Sequence, residues 1–229
     1  MNIKQLLLFI LLCFIQKTAL SKAAPWVGAD FKGLACTGKP QGFGPYDYTN
    51  PSHKNGKIGG GGDTALSIVE RAHFPPDTEN LTKSVFGSFL GDFDYTLRAW
   101  PNHHRALLSL VRFQLEVNKK IRKPEKPFSS VECYFQRAIN FSPNDSATYS
   151  LYAYYLTKIG QFQQAQQQYE RALKIASNSS KVEYAYALLL IELKQYDHAL
   201  EHAKRAYQLG SPPLGLKKKL SSLGIWKDN

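Results

Sequence analysis

A fixed period organises the second half of this 229-residue chain. Gln136-Arg137-Ala138 recurs as Glu170-Arg171-Ala172 and again as Lys204-Arg205-Ala206, each step being 34 residues. The same step joins Phe128, Phe162 and Tyr196, then Val131, Ala165 and Ala199, then Phe135, Tyr169 and Ala203. Further upstream, Tyr152, Ala153 and Leu156 map onto Tyr186, Ala187 and Leu190. So regular a repeat requires one supersecondary unit stacked on copies of itself. Apolar positions three or four apart give each helix a single buried stripe. Ala138, Ala153, Ala165, Ala172, Ala187, Ala199 and Ala206 let antiparallel helices approach, while Phe135, Tyr169 and Leu190 fill the space between them. Such a unit cannot bury its stripe alone, so neighbours must stack and the open ends need caps. The expected fold class is all-α, a helix-turn-helix array of about 2.5–3 repeats with a C-terminal capping helix.

These residues resemble the tetratricopeptide repeat family, whose unit has 34 residues and a loose large-x-x-Leu-Gly-x-x-Tyr…Ala…Phe…Ala…Pro pattern. One full repeat spans 146–179, with Tyr149, Tyr152, Ala153 and Leu156 in first-helix positions. Gly160 and Phe162 mark its turn, and Ala165, Tyr169 and Ala172 stand in its second helix. The next repeat, 180–213, keeps Ala187, Leu190, Tyr196, Ala199 and Ala206 but has Lys194 for the turn glycine. A degenerate unit covers 102–145: a helix over Asn102 to Asn118, a basic insertion from Lys119 to Pro127, then a second helix within Phe128 to Pro143. Residues 214–229 form the cap, with Leu216 and Leu220 toward the last repeat and Lys217 to Lys219 toward water. The resemblance implies a concave groove, lined by the first helix of each repeat, that binds a protein or peptide. Carried over position by position, it comprises Ser150, Tyr154, Thr157, Lys158, Lys181, Tyr184, Leu188 and Ile191. Tyr154 and Tyr184 are amphipathic anchors of the kind favoured at binding hot spots. Lys158 and Lys181 would attract a carboxylate, hence an acidic partner.

Residues 1–23 read as a secretory signal peptide: Lys4, an unbroken apolar run from Leu6 to Ile15, then small residues around Ala19 to Ala24. Ten residues rise only about 15 Å as a helix, half of a bilayer core, so no membrane span is expected. Cleavage falls after Ala23 or after Ser21, giving an exported chain; the expected location is the periplasm, with secretion as the alternative. It removes Cys13 and leaves Cys36 and Cys133, either a disulfide, which an oxidising compartment favours, or two free thiols. In a eukaryotic compartment Asn80, Asn144 and Asn178 would be glycosylation acceptors. Residues 24–101 hold 12 of the 16 glycines and 7 of the 12 prolines, the material of irregular chain. They also hold Phe43, Tyr46, Tyr48, Phe74, Phe86, Phe89, Phe93, Tyr95 and Trp100, too many aromatics for a disordered tail. The expectation is a segment that wraps the array, stapled through Cys36 and Cys133, with short helices at Thr64–Arg71 and Pro76–Lys83. Cys133 is given an outward aspect, and the wrap is an expected occupant of the empty groove.

Chemistry is sparse. Asp92, Asp94, His103 and His104 fall within thirteen residues and suit a metal or acid–base catalysis by type. Adjacent histidines on a helix point about 100° apart, however, so they rarely share an ion. The structural alternative has Asn102 capping a helix and Asp92 or Asp94 pairing with Arg98 or Arg105. His198 and His202 are read as solvent-facing. Gly59 to Gly62 lacks the Lys-Ser/Thr of a phosphate loop, and Gly-x-Ser-x-Gly and His-Glu-x-x-His are absent. No enzyme, cofactor or resident metal is therefore expected. The formal charge of +11 is unevenly placed: residues 24–101 carry −1 and residues 102–229 carry +9. Arg137, Arg171 and Arg205 are expected to form a basic ridge. Export points this surplus at an acidic protein or an anionic surface and away from nucleic acid. The leading reading is an exported, non-enzymatic adaptor or assembly factor. The alternatives are a secreted protein acting on acidic host or envelope surfaces, and a metal- or small-ligand-binding protein centred on Asp92, Asp94, His103 and His104.

Overall fold

A computed structural model describes residues 23–58, 61–210 and 212–227. The expected signal peptide, apart from Ala23, lies outside the described residues. Among them eleven helices form and no strand, only two isolated bridges, Ala29 with Ala35 and Lys57 with Thr64. The first six are α1 (Pro51–Asn55), α2 (Ala65–His73), α3 (Pro76–Glu79), α4 (Phe89–Ala99), α5 (His104–Asn118) and α6 (Val131–Phe141). Then come α7 (Ser146–Lys158), α8 (Phe162–Ile175), α9 (Ser180–Glu192), α10 (Tyr196–Leu209) and α11 (Gly215–Ser222). α7 pairs with α8 and α9 with α10; α7 and α8 both pack on α9, and α5 packs on α7. α11 lies against α9 and α10, with Leu216 and Leu220 buried, so it closes the array. No helix among the described residues is long and apolar enough to cross a membrane.

Local chemistry sets these boundaries. The Asp145 carboxylate accepts from the Ala147 and Thr148 N–H groups to start α7, and Ser179 accepts from Val182 to start α9. Thr64 and Ser67 form a reciprocal capping box on α2. Gly160 turns the chain between α7 and α8 at φ +80°, and Lys194 adopts φ +58° at the equivalent place. A side chain there costs about 1 kcal/mol, which the packed hairpin tolerates. The seven repeat alanines are all fully buried, and Phe135 stacks on Tyr152 at 4.9 Å as Tyr169 does on Tyr186 at 5.6 Å. One contact repeats in phase: the Ser146 hydroxyl donates to the Ala172 carbonyl and the Ser180 hydroxyl to the Ala206 carbonyl, both at 2.9 Å.

The glycine-rich segment binds to α4 and α6. Cys36 and Cys133 are disulfide-bonded, 97 residues apart in sequence, with Cα atoms 5.4 Å apart. Cys133 faces away from the array toward the wrap, as expected, and is buried under the segment it holds. Phe31 donates its N–H to Glu132, and the Gln136 amide donates to the Ala29 carbonyl. Gly28 sits at φ +83°, where a Cβ would collide with the Gln136 side chain. Gly44, at φ +89°, brings the chain so near the end of α4 that a Cβ would lie 2.4 Å from the Ala99 carbonyl oxygen. Tyr46 can then donate its N–H to that same oxygen and pack, with Tyr48, on buried Trp100.

Arg137 also corrects the sequence reading. It is 1% exposed and belongs to no surface ridge. Its Nε donates to the Ala24 carbonyl at 2.8 Å, its Nη1 to the Leu97 carbonyl at 2.7 Å and its Nη2 to the Gln41 side chain at 2.7 Å. The guanidinium stacks over Trp26, 5.0 Å from the ring centroid. The basic insertion is docked as well. Glu125 accepts from the Ser88 hydroxyl and the Phe89 and Leu90 N–H groups, placing an anion at the start of α4. Arg122 pairs with Glu116 at 2.9 Å and covers Phe89. Because the insertion is drawn toward α4, Phe128 stays half-exposed and α6 starts only at Val131.

Candidate partner-binding groove

The residues carried over as a groove lie on α7 and α9, the first helices of the two regular repeats. Ser150, Tyr154 and Thr157 are half-buried along α7, and Lys158 is exposed at its end. On α9, Lys181 is exposed and Tyr184 and Leu188 are half-buried. Ile191 is not a groove residue: it is 6% exposed and belongs to the core between the helices, which corrects that assignment. Lys158 Nζ lies 5.4 Å from the Tyr154 ring centroid, and the Thr157 hydroxyl is turned inward, donating to the Ala153 carbonyl. Tyr184 stands beside a shallow cavity of about 420 Å³ lined by Ser180, Lys181, Gly210, Pro212 and Pro213. The first residue of α11 closes over it, since a Cβ on Gly215 would lie 3.4 Å from the Tyr184 hydroxyl. At the far end of α9, Glu192 binds Lys219 at 2.7 Å. The hydrogen bond and charge of Lys219, helped by Lys158, hold the Glu192 carboxyl below its ordinary range. Lys158 and Lys181 make no ion pair among the described residues. Among the described residues no hydrogen bond of the wrap reaches Tyr154 or Tyr184; its hydrogen bonds to the array run to α5, α6 and the loops beside them.

Behind α9 the array holds a buried charge. Glu183 occupies the position that Tyr149 holds one repeat earlier, and it is 1% exposed. His202 Nδ1 approaches it at 2.5 Å and Arg205 Nε donates at 2.9 Å. His202 is therefore not solvent-facing, a correction, while Arg205 stays exposed on its face as it pairs with Glu183. Beside them the Tyr186 hydroxyl donates to Glu170 at 3.1 Å, and burial with the charge of Glu170 pushes the Tyr186 phenol up to about 12.

Asp92, Asp94, His103 and His104 do not converge. Asp92 accepts from the Val85 N–H at 2.8 Å and faces His73 at 3.4 Å. Asp94 binds Arg98 at 3.0 Å and accepts from the Tyr134 hydroxyl at 2.7 Å. His103 caps α5, its Nδ1 accepting from Ala106, while its Nε2 meets Glu70 at 3.0 Å. The cap is thus His103, and the assignment to Asn102 is corrected. Asn102 instead bridges Asp47 and Asp145 with its amide N–H groups and accepts from the Tyr48 N–H. His104 faces Asp145 at 2.7 Å, and Arg105 pairs with Glu70 and Glu79. Each side chain of the supposed cluster holds the wrap or a helix start in place. Among the described residues no group of three or more His, Cys, Asp or Glu side chains is placed to hold a metal.

Paired helices in 34-residue phase, buried small residues at the crossings and a first-helix surface left open make the second half of the chain a helical-repeat array similar to tetratricopeptide repeats. Residues 128–206, about a third of the chain, match the family model described as anaphase-promoting complex, cyclosome, subunit 3. No curated protein matches the chain.

Proposed function

We propose that this is an exported, non-enzymatic interaction module that holds an acidic segment of a partner polypeptide across α7 and α9. Repeats of this type are typically scaffolds for protein–protein contact. The observation that carries the finer reading is the pairing on consecutive first helices of a half-buried tyrosine with an exposed lysine that makes no ion pair among the described residues: Tyr154 with Lys158, and Lys181 with Tyr184. A tyrosine presents a large apolar face and a hydrogen-bonding tip with only two torsions to order, and a nearby ammonium draws a carboxylate to it. Export is supported by the apolar N-terminal run and by the Cys36–Cys133 bridge, which suits an oxidising compartment such as the periplasm.

The test is affinity capture by the mature chain from its own envelope fraction, compared with the Tyr154→Ala/Tyr184→Ala double variant. Loss of the captured partner, with an unchanged urea midpoint, is the expected result. Undiminished capture by the folded double variant would refute the groove.

A further inference from the structure

A second cavity lies away from that groove, where the 30–37 loop of the wrap meets the first unit of the array. It measures about 490 Å³, within the usual range of about 300–1,000 Å³ for a ligand pocket. Leu90, Leu110 and Val131 supply apolar walls, but the polar lining is what sets it apart. Ser129 and Ser130 have buried hydroxyl oxygens with no hydrogen-bond partner. Tyr155, 6% exposed, has a hydroxyl that makes no hydrogen bond among the described residues. Glu132, 7% exposed, uses only Oε1, to accept from the Phe31 N–H at 3.1 Å; Oε2 has no partner among the described residues. The two buried serine hydroxyls cost free energy while unpaired, whereas the Tyr155 hydroxyl and Glu132 Oε2 face a cavity that opens to solvent and are available to an incoming donor. The Phe31 ring is 43% exposed and lies in the same lining. Asp30 adds a second carboxylate to the loop, opposed by Lys32 alone.

We propose that this pocket binds an arginine side chain of a partner polypeptide. A guanidinium donates through five N–H groups in a fixed plane, stacks on aromatic faces and pairs with a carboxylate. Those requirements match the free Glu132 oxygen, the three hydroxyls and the Phe31 and Tyr155 rings. An anionic ligand would meet Glu132, and a purely apolar one would leave the acceptors unpaired. The disulfide holds the loop that forms one wall, so the pocket belongs to the bridged chain.

The experiment titrates the mature, oxidised protein with acetyl-Ala-Arg-Ala-amide and with its citrulline counterpart, the same shape without the charge, followed by NMR. The expected result is saturable binding of the arginine peptide, with shifts at Phe31, Ser129, Ser130 and Tyr155. Citrulline should bind about tenfold more weakly, the usual scale of a charge-assisted hydrogen bond. Glu132→Gln, which keeps an acceptor for Phe31, should lose the same factor, and Phe31→Ala should also weaken binding. Equal binding of citrulline, equal binding of acetyl-Ala-Lys-Ala-amide, or shifts elsewhere would overturn the proposal. The Tyr154→Ala/Tyr184→Ala variant should bind the arginine peptide normally, so failure here is distinguishable from failure of the groove.

Discussion

Replacing Arg137 by Met is the sharpest test of how the wrap is held. Pro101 has no N–H, so the Leu97 carbonyl four residues earlier loses its helical donor at the end of α4. Arg137 supplies the missing proton at 2.7 Å and places a cation at that C-terminus. Of its other contacts, those to Ala24 and Gln41 tie down the wrap, and a long one reaches the Arg98 carbonyl. Burial draws the guanidinium down to about 10, with Tyr134 and Asp94 opposing, so it stays charged at neutral pH. Met preserves much of the volume over Trp26 but strands the Leu97 carbonyl, at about 1–3 kcal/mol, and loses two charge-assisted tethers that water restores in part. Together these predict a loss of about 2–4 kcal/mol, a stranded carbonyl plus the partly restored tethers. Urea unfolding followed by circular dichroism measures it, and limited proteolysis on reducing gels should show new cuts within 24–41. Arg171→Met, at the same repeat position but exposed, should stay within about 0.5 kcal/mol. A stability and digestion pattern equal to wild type for Arg137→Met would refute the reasoning.

Cys36→Ser/Cys133→Ser should lower stability by up to about 4–5 kcal/mol, the loop-entropy value for a closure near this length; two thiols that alkylate without reductant in the native protein would contradict it. Stability should also fall as the solution is acidified below pH 6.5. His103 is neutral by geometry, because Nδ1 accepts from Ala106, and burial lowers its pKa from the ordinary 6.5 despite the hydrogen bond and charge of Glu70. His73 is lowered likewise, burial outweighing Asp92. The unfolded chain therefore takes up protons first, and this contribution is intact above pH 6.5 and lost as the pH falls through the folded values. His103→Asn, which keeps a capping oxygen but cannot titrate, should flatten the urea midpoint between pH 7 and 5; an unaltered slope would remove His103 from the account.

The array was legible because its information is periodic: Ala138, Ala172 and Ala206 each occupy a helix crossing, and one 34-residue step finds them all. The same step misleads where the environment differs. Arg137, Arg171 and Arg205 are identical by phase, yet one is buried under the wrap, one is exposed and one neutralises Glu183. Phase fixes the face of a helix; what covers that face comes from distant segments such as 24–41. Glu183 carried a signal, since a carboxylate stands where the previous repeat has Tyr149, and its partners His202 and Arg205 lie one helix later at turn spacing. Ile191 failed for a similar reason. A groove position in an average repeat becomes core when its neighbours close over it. The wrap was readable as ordered from its aromatics but not as a path, because Gly28 and Gly44 are set by what they touch and not by local propensity. His103 took the cap from Asn102 because Asn102 was needed to bridge Asp47 and Asp145.

Net charge is a difference and does not say where unpaired charge sits. Residues 102–229 carry +9, but Arg137 is enclosed, Arg122 is paired with Glu116, Arg205 with Glu183, Lys219 with Glu192 and Arg105 with two carboxylates of the wrap. These pairs engage acids as well as bases, which concentrates the remaining surplus in exposed lysines. Lys158, Lys181 and Lys218 are such residues on the first-helix side, on α7, α9 and α11. Charges at an interface rim act chiefly on the association rate, and salt screens them over about 8 Å at physiological strength. The on-rate for an acidic partner should therefore fall with added salt in the wild type, and Lys158→Glu/Lys181→Glu should remove most of that dependence. Arg171→Glu/Lys174→Glu, an equal change of charge on the exposed face of α8, should leave it nearly intact. If the two variants flatten the salt dependence equally, overall charge and not the first-helix lysines steers the encounter, and the groove loses its electrostatic support.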